Sequence, residues 1–159
     1  MRQGREKRVA LLLPNLTLGG AEGQAVELAL RLPAAGWEPV LLTAESHGPL
    51  RTRIEKAGLP LFDLEAEMWR GKSTPRFWGN LGRTVRRISR ICRGERIAVL
   101  QSFLFWQNQL AIPAGVITPG LKVITGRRNT GEFKDRRRHY QTIENMTNRF
   151  SHLVVCNAE

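Results

Sequence analysis

The chain predicts an α/β fold: a doubly wound parallel sheet of the Rossmann-like kind, with about six strands. Three observations carry that expectation. Short apolar runs alternate with helix-period segments from Val9 to Cys156, the pattern of strands joined by crossover helices. A glycine turn, Gly19-Gly20, joins the first run directly to the first helix. The 159 residues are the length of one domain with a real core, and Gly and Pro are scattered rather than clustered into linkers.

Residues 9–13, V-A-L-L-L, form the first strand, apolar throughout as a sheet covered on both faces requires. From Ala21 the apolar positions Ala25, Val26, Leu28, Ala29 and Leu32 recur at helical spacing, and Gly36 closes that helix. The second strand is 39–43. A short helix over 48–57, with Gly58 as its stop, leads to a third strand at 59–64. Residues 65–75 lack any period and read as a loop. Residues 77–93 are helical and 97–101 are the fourth strand. The helix over 104–115 contains Pro113, which should end or kink it near its last turn. A strand at 121–125, a polar helix at 138–150 and a strand at 153–156 complete the series. Residues 1–8 are a basic tail, and 9–159 are the domain. Right-handed crossovers put the carboxyl ends of all strands on one edge, the usual ligand edge of such sheets.

Composition narrows the chemistry. A net charge of +11 implies an anionic partner: nucleic acid, membrane headgroups or a phosphorylated substrate. Cys92 and Cys156 form no C-x-x-C pair, and His47, His139 and His152 are scattered, so no metal-site spacing exists and no metal is expected. The longest apolar stretch, near residues 110–117, is broken by Pro113 and too short for a membrane span. With residues 1–8 polar, no signal peptide is visible. A cytoplasmic protein is expected, peripheral at most on the inner membrane face.

Four places carry candidate chemistry. Asn15 and the turn Gly19-Gly20, with Glu22, open the first helix, whose free N–H groups would face a ligand. The glycines fall G-G-x-x-G rather than G-x-G-x-x-G. Although Glu45 closes the second strand where a ribose-binding acid could sit, the spacing disfavours a nicotinamide-dependent oxidoreductase. After the fourth strand, Gln101, Ser102 and Asn108 offer hydrogen bonds to a sugar, and Trp106 a ring to stack on it; Phe103, Phe105 and Trp106 read equally well as core. After the fifth, Arg127, Arg128 and Asn129 could grip a phosphate or carboxylate. The helix over 77–93 has an apolar face of Leu81, Val85, Ile88 and Cys92, carries no acid, and presents Arg83, Arg86, Arg87, Arg90 and Arg93. With Trp69, Phe77 and Trp78 beside it, this face suits anionic lipid headgroups; a helix simply packed on the sheet with its basic side in solvent fits the same pattern. No Ser–His–Asp set or carboxylate dyad appears, so a hydrolase finds little support. Aromatic RNA-recognition motifs are missing too, and no nucleic-acid partner is expected.

Four segments together, P-N-L-T-L-G-G-A-E, V-L-Q-S-F-L-F-W-Q-N, T-G-R-R-N-T-G-E-F-K and the closing V-V-C-N-A-E, resemble the N-terminal domain of family 4 retaining glycosyltransferases of GT-B fold. The resemblance covers nearly all of the chain from Val9. It implies a hexosyltransferase that moves a sugar from a nucleotide-sugar donor to a glycan or lipid-linked acceptor, with retention and without a cofactor, in cell-envelope polysaccharide synthesis. On that analogy Gly19, Gly20 and Glu22 face the donor, while Asn15, Trp106, Asn108, Arg127, Arg128 and Asn129 hold the acceptor. Gln101 and Ser102 are the catalytic candidates; members often carry a histidine at the end of this strand, where the chain has Gln101 and Phe103. In a front-face retaining mechanism the leaving phosphate can take the acceptor proton, so the missing histidine need not abolish catalysis. The family's C-terminal domain, which binds the nucleotide, is absent from the 159 residues. The expectation is therefore a truncated, inactive half that needs a donor domain in cis or as a separate chain. A stand-alone basic module for an anionic membrane or other polyanion is the alternative.

Overall fold

The computed structural model describes residues 7–66, 75–127 and 149–156. Six strands form one sheet: β1 (Arg8–Leu13), β2 (Glu38–Thr43), β3 (Leu61–Asp63), β4 (Val99–Ser102), β5 (Lys122–Arg127) and β6 (Leu153–Cys156). Their order is β3-β2-β1-β4-β5-β6, and every pairing is parallel. The helices are α1 (Gly20–Arg31), α2 (Arg51–Lys56), α3 (Pro75–Gly94) and α4 (Phe105–Val116).

Strand alternation sorts the core into two layers. Val9, Leu11, Leu13 and Leu41 pack with Ala25, Val26 and Ala29 of α1 and Ile54 of α2. Ala10, Leu12, Val40, Leu42, Leu100 and Val123 pack with Val85, Ile88 and Cys92 of α3 and Leu110, Ala111 and Ala114 of α4. β1 lies at the centre and is apolar on both sides because a helical layer covers each. Burial pushes the Cys92 thiol up to about 12, whereas Cys156 is exposed.

Several boundaries differ from the expectation, each for a local reason. Pro33 has no N–H to continue α1, so the chain tightens into a 3-10 turn, Leu32–Ala35, which Gly36 closes at φ 73°. Strand β2 begins one residue early, at Glu38, whose N–H donates to the Lys7 carbonyl. Pro39 is tolerated because β3 pairs with β2 only from Leu41 onward. The second helix is shorter than 48–57: Gly48 turns at φ 130°, and α2 starts at Arg51. Ile97 closes α3, its N–H on the Cys92 carbonyl after a left-handed Arg96, so β4 starts at Val99. Helix α4 passes through Pro113 to Val116. Of the polar helix expected at 138–150, only the last two residues are described, as a turn before β6.

Strand β6 is held by a side chain as well as by its ladder. The Val123 N–H donates to His152 Nδ1 at 3.1 Å, and the His152 N–H donates to the Val123 carbonyl at 2.9 Å. Among the described residues no helix is long and apolar enough to cross a membrane.

Candidate functional site

Strand order reverses direction between β1 and β4, so the loops after these two strands diverge to opposite faces and leave a crevice at their carboxyl ends. The first wall is the loop from Pro14 to Gly19. Asn15 Oδ1 accepts hydrogen bonds from the Thr17 N–H (3.1 Å) and the Thr17 hydroxyl (2.7 Å), so this side chain shapes the turn. Leu16 is fully buried beneath it, its N–H on the His47 carbonyl and its carbonyl receiving the Leu50 N–H, both at 3.0 Å. Leu18, by contrast, is 79% exposed at the tip.

Helix α1 then starts with Gly19 as N-cap and no side-chain cap. Glu22 folds back over the cap and is buried: a Cβ on Gly19 would run first into its carboxylate. Around the Cβ positions of Gly20 and Gly23 there is open space, and neither has a positive φ.

The second wall is built around a buried hydrogen-bond chain. The Ser102 hydroxyl donates to Asn108 Oδ1 at 2.6 Å, and Asn108 Nδ2 donates to the Gly126 carbonyl at 3.1 Å. Both side chains are essentially inaccessible. They therefore tie β4, α4 and β5 together rather than lining the surface. Gly126 fits closely there, since a Cβ would lie 3.0 Å from the Ser102 carbonyl oxygen and 3.1 Å from Phe103 Cα. Gln101 is half-buried on the α1 side of the sheet, in register with Leu11 and Ile124. Trp106, half-buried, makes edge-on contacts with Phe105 (5.3 Å) and Phe77 (6.4 Å). Sequence reasoning passed over Gln107 and Thr125, whose buried Nε2 and Oγ1 atoms have no hydrogen-bond partner among the described residues. Each is a lone polar residue inside a helix or strand, with no motif around it to draw attention.

The arginines of α3 divide by environment. Arg87 donates to the Leu64 carbonyl (3.2 Å) and to Glu65 (3.4 Å), Arg93 to the Ser89 hydroxyl (2.9 Å), and Arg83 to Asn80 Oδ1 (3.4 Å). Arg86 and Arg90 are exposed with no partner among the described residues, and Trp78 on the same helix is 64% exposed. Arg127 ends β5 at the same sheet edge, in register with Cys156. Arg128 and Asn129 lie outside the described residues. Those residues gather no group of three His, Cys, Asp or Glu side chains that could hold a metal ion.

A further acid at this edge, Asp63, was not singled out by the sequence, although it closes a strand just as Glu45 does. Its Oδ2 accepts the Ser46 N–H (3.0 Å) and its Oδ1 the Glu65 N–H (2.8 Å), which latches the β2 and β3 loops together. Burial acts to raise its pKa, but the hydrogen bonds from Ser46 and Glu65 and the nearby Arg87 outweigh it and hold the carboxyl below its usual range. A depressed folded value means that Asp63 stabilises the fold above its unfolded pKa, about 3.9, and loses that contribution as pH falls further. Thermal denaturation between neutral pH and pH about 3 should show Asp63→Asn losing less stability on acidification than the wild type. Parallel losses would exclude the latch as a source of acid sensitivity.

No family model and no curated protein matches this chain. Solved structures do. Acinetobacter baumannii MurG matches at TM-score 0.66 and 13% identity, over 94% of this chain and 41% of MurG. Anabaena HepE, solved with UDP and glucose, matches at TM-score 0.71 and 15% identity, over 94% of this chain and 38% of HepE. The sucrose-phosphate synthase of Thermosynechococcus elongatus gives 0.66 and 12%, over 93% and 41%. The chain thus spans about two fifths of the length of these structures. At such identities the likeness establishes the fold: a six-stranded, all-parallel Rossmann-like domain that matches part of GT-B glycosyltransferases.

Proposed function

We propose that the chain is the N-terminal, acceptor-side half of a GT-B glycosyltransferase, resembling family 4. It would act with retention on a nucleotide-sugar donor and a glycan or lipid-linked acceptor at the cytoplasmic face of an envelope membrane. The observation that carries this reading is the glycine edge of the β1–β4 crevice. Gly20 and Gly23 occupy ordinary helical backbone with open space about them, so the fold gives no reason for glycine. Each weakens α1 relative to alanine by roughly 0.5–1 kcal/mol. A ligand that must approach the helix start closely supplies the missing reason. Structural likeness to MurG, HepE and sucrose-phosphate synthase supports the same class of chemistry.

On this reading Gly19 and Gly20 admit the donor, and Glu22, the only acid in the first turn, offers hydroxyl-accepting oxygens beside it. Ser102 and Asn108 hold the acceptor wall in shape, while Gln101, Arg127, Arg128 and Asn129 are left to meet the acceptor. The nucleotide would be held by a C-terminal domain, and no metal or cofactor is called for. A separate membrane-binding role is favoured by one observation: Arg86, Arg90 and Trp78 stand exposed on a helix without acids.

The test is substitution of Gly20 in an enzyme that includes a donor domain. Gly20→Ala should leave the fold intact or stabilise it by about 0.5 kcal/mol. Sugar transfer by Gly20→Val should fall at least roughly tenfold, about 1.4 kcal/mol of transition-state stabilisation. Unchanged transfer in Gly20→Val would remove the glycine edge from the active site.

A further inference from the structure

A second recess opens at the same sheet edge, on the α3 side. Leu64, Glu65 and Ala66, just beyond β3, and Asn80, Arg83, Thr84 and Arg87 of α3 line a cavity of about 510 Å³. Arg83 and Arg87 are one helical turn apart and both border it. Arg87 is held in place by the Leu64 carbonyl at 3.2 Å. The Thr84 hydroxyl donates to the Asn80 backbone carbonyl at 3.0 Å, and Arg83 makes a long, 3.4 Å contact with Asn80 Oδ1. The one carboxylate among the described lining residues, Glu65, is 76% exposed and 3.4 Å from Arg87. Neighbouring Asp63 has both oxygens occupied by backbone N–H groups.

We infer that this cavity binds a phosphate group, gripped between the Arg83 and Arg87 guanidinium forks with Asn80 Nδ2 as an additional donor. Two guanidinium groups on one wall of a concave site suit a multivalent oxyanion far better than a single carboxylate. Glu65 is the competitor: an incoming phosphate takes over Arg87, and Glu65 swings into solvent. The inference is independent of the transferase reading, because it rests on the charge and shape of the recess alone. The phosphate could belong to a soluble phosphorylated compound or to a lipid headgroup.

Inorganic pyrophosphate is the probe, titrated calorimetrically into the full 159-residue chain at physiological salt. The cavity predicts saturable binding that weakens roughly tenfold in Arg83→Gln. Arg83→Lys should fall between the two, because the charge remains and the planar fork is lost. Lys56→Gln removes the same charge from exposed α2, on the other face of the sheet, and should change affinity less than about twofold. Glu65→Gln should tighten binding, a gain that a damaged fold would not produce. Vesicles of phosphatidylcholine with and without phosphatidic acid separate the sources. Arg83-dependent capture by phosphatidic acid that pyrophosphate displaces assigns the site to a lipid headgroup, and its absence alongside pyrophosphate binding assigns it to a soluble phosphate. Equal losses in Arg83→Gln and Lys56→Gln, or no saturable pyrophosphate binding, overturn the proposal.

Discussion

Alanine in place of Gly48 should cost the fold roughly 2–4 kcal/mol, read from urea denaturation at unchanged m-value. Gly48 sits at φ 130°, a backbone conformation that L side chains rarely adopt. A Cβ there would lie 2.2 Å from the Leu16 carbonyl oxygen and 2.6 Å from the Thr17 nitrogen. Both are backbone atoms, so no side chain can swing aside to make room. Relief requires the loop after β2 to draw away from the loop after β1, which breaks the Leu16–His47 and Leu50–Leu16 hydrogen bonds. Leu16, fully buried by that contact, would lose its cover. Gly20→Ala is the natural comparison, since it adds the same methyl group to open helical backbone. A loss below about 1 kcal/mol in Gly48→Ala would mean that the two loops are not rigidly coupled. The first wall of the crevice would then be adaptable.

The fold was readable from the sequence because its signals are local. Apolar runs, helix-period stripes and glycine stops mark each element, and the strand between Leu153 and Cys156 was placed to the residue. Errors at the ends came from partners distant in sequence. Glu38 enters β2 because its N–H reaches the Lys7 carbonyl, and Ile97 leaves β4 because its N–H closes α3. The site was only half readable for a related reason. A polar residue after a strand looks the same in sequence whether it faces a ligand or a neighbouring loop. Ser102 and Asn108 look like sugar ligands until their hydrogen bonds to one another and to Gly126 are seen. Arg87 likewise looks like one more basic surface residue, yet it reaches 23 positions back along the chain to the Leu64 carbonyl.

Asn108→Leu should destabilise the chain by about 2–4 kcal/mol, because it leaves two buried groups without their partners. The Gly126 carbonyl loses its donor, and the Ser102 hydroxyl retains only a long, 3.5 Å approach to the Ile124 carbonyl. Leucine keeps asparagine's branching but is bulkier, so some of the single loss is overpacking and the hydrogen bonds are isolated by the double-variant comparison. Ser102→Ala removes one of the same bonds, and the double variant should therefore lose less than the sum of the two single losses. That shortfall separates a shared hydrogen-bond chain from two unrelated core positions. In an enzyme with its donor domain, the framing role predicts that activity falls together with stability. Ser102→Ala should then be milder than Asn108→Leu on both scales, since Asn108 bonds to β5 at 3.1 Å and Ser102 only at a long 3.5 Å. Full stability with lost acceptor binding in Asn108→Leu would instead return Asn108 to the surface of the site. The wall between β4 and β5 would then have to open when the acceptor arrives.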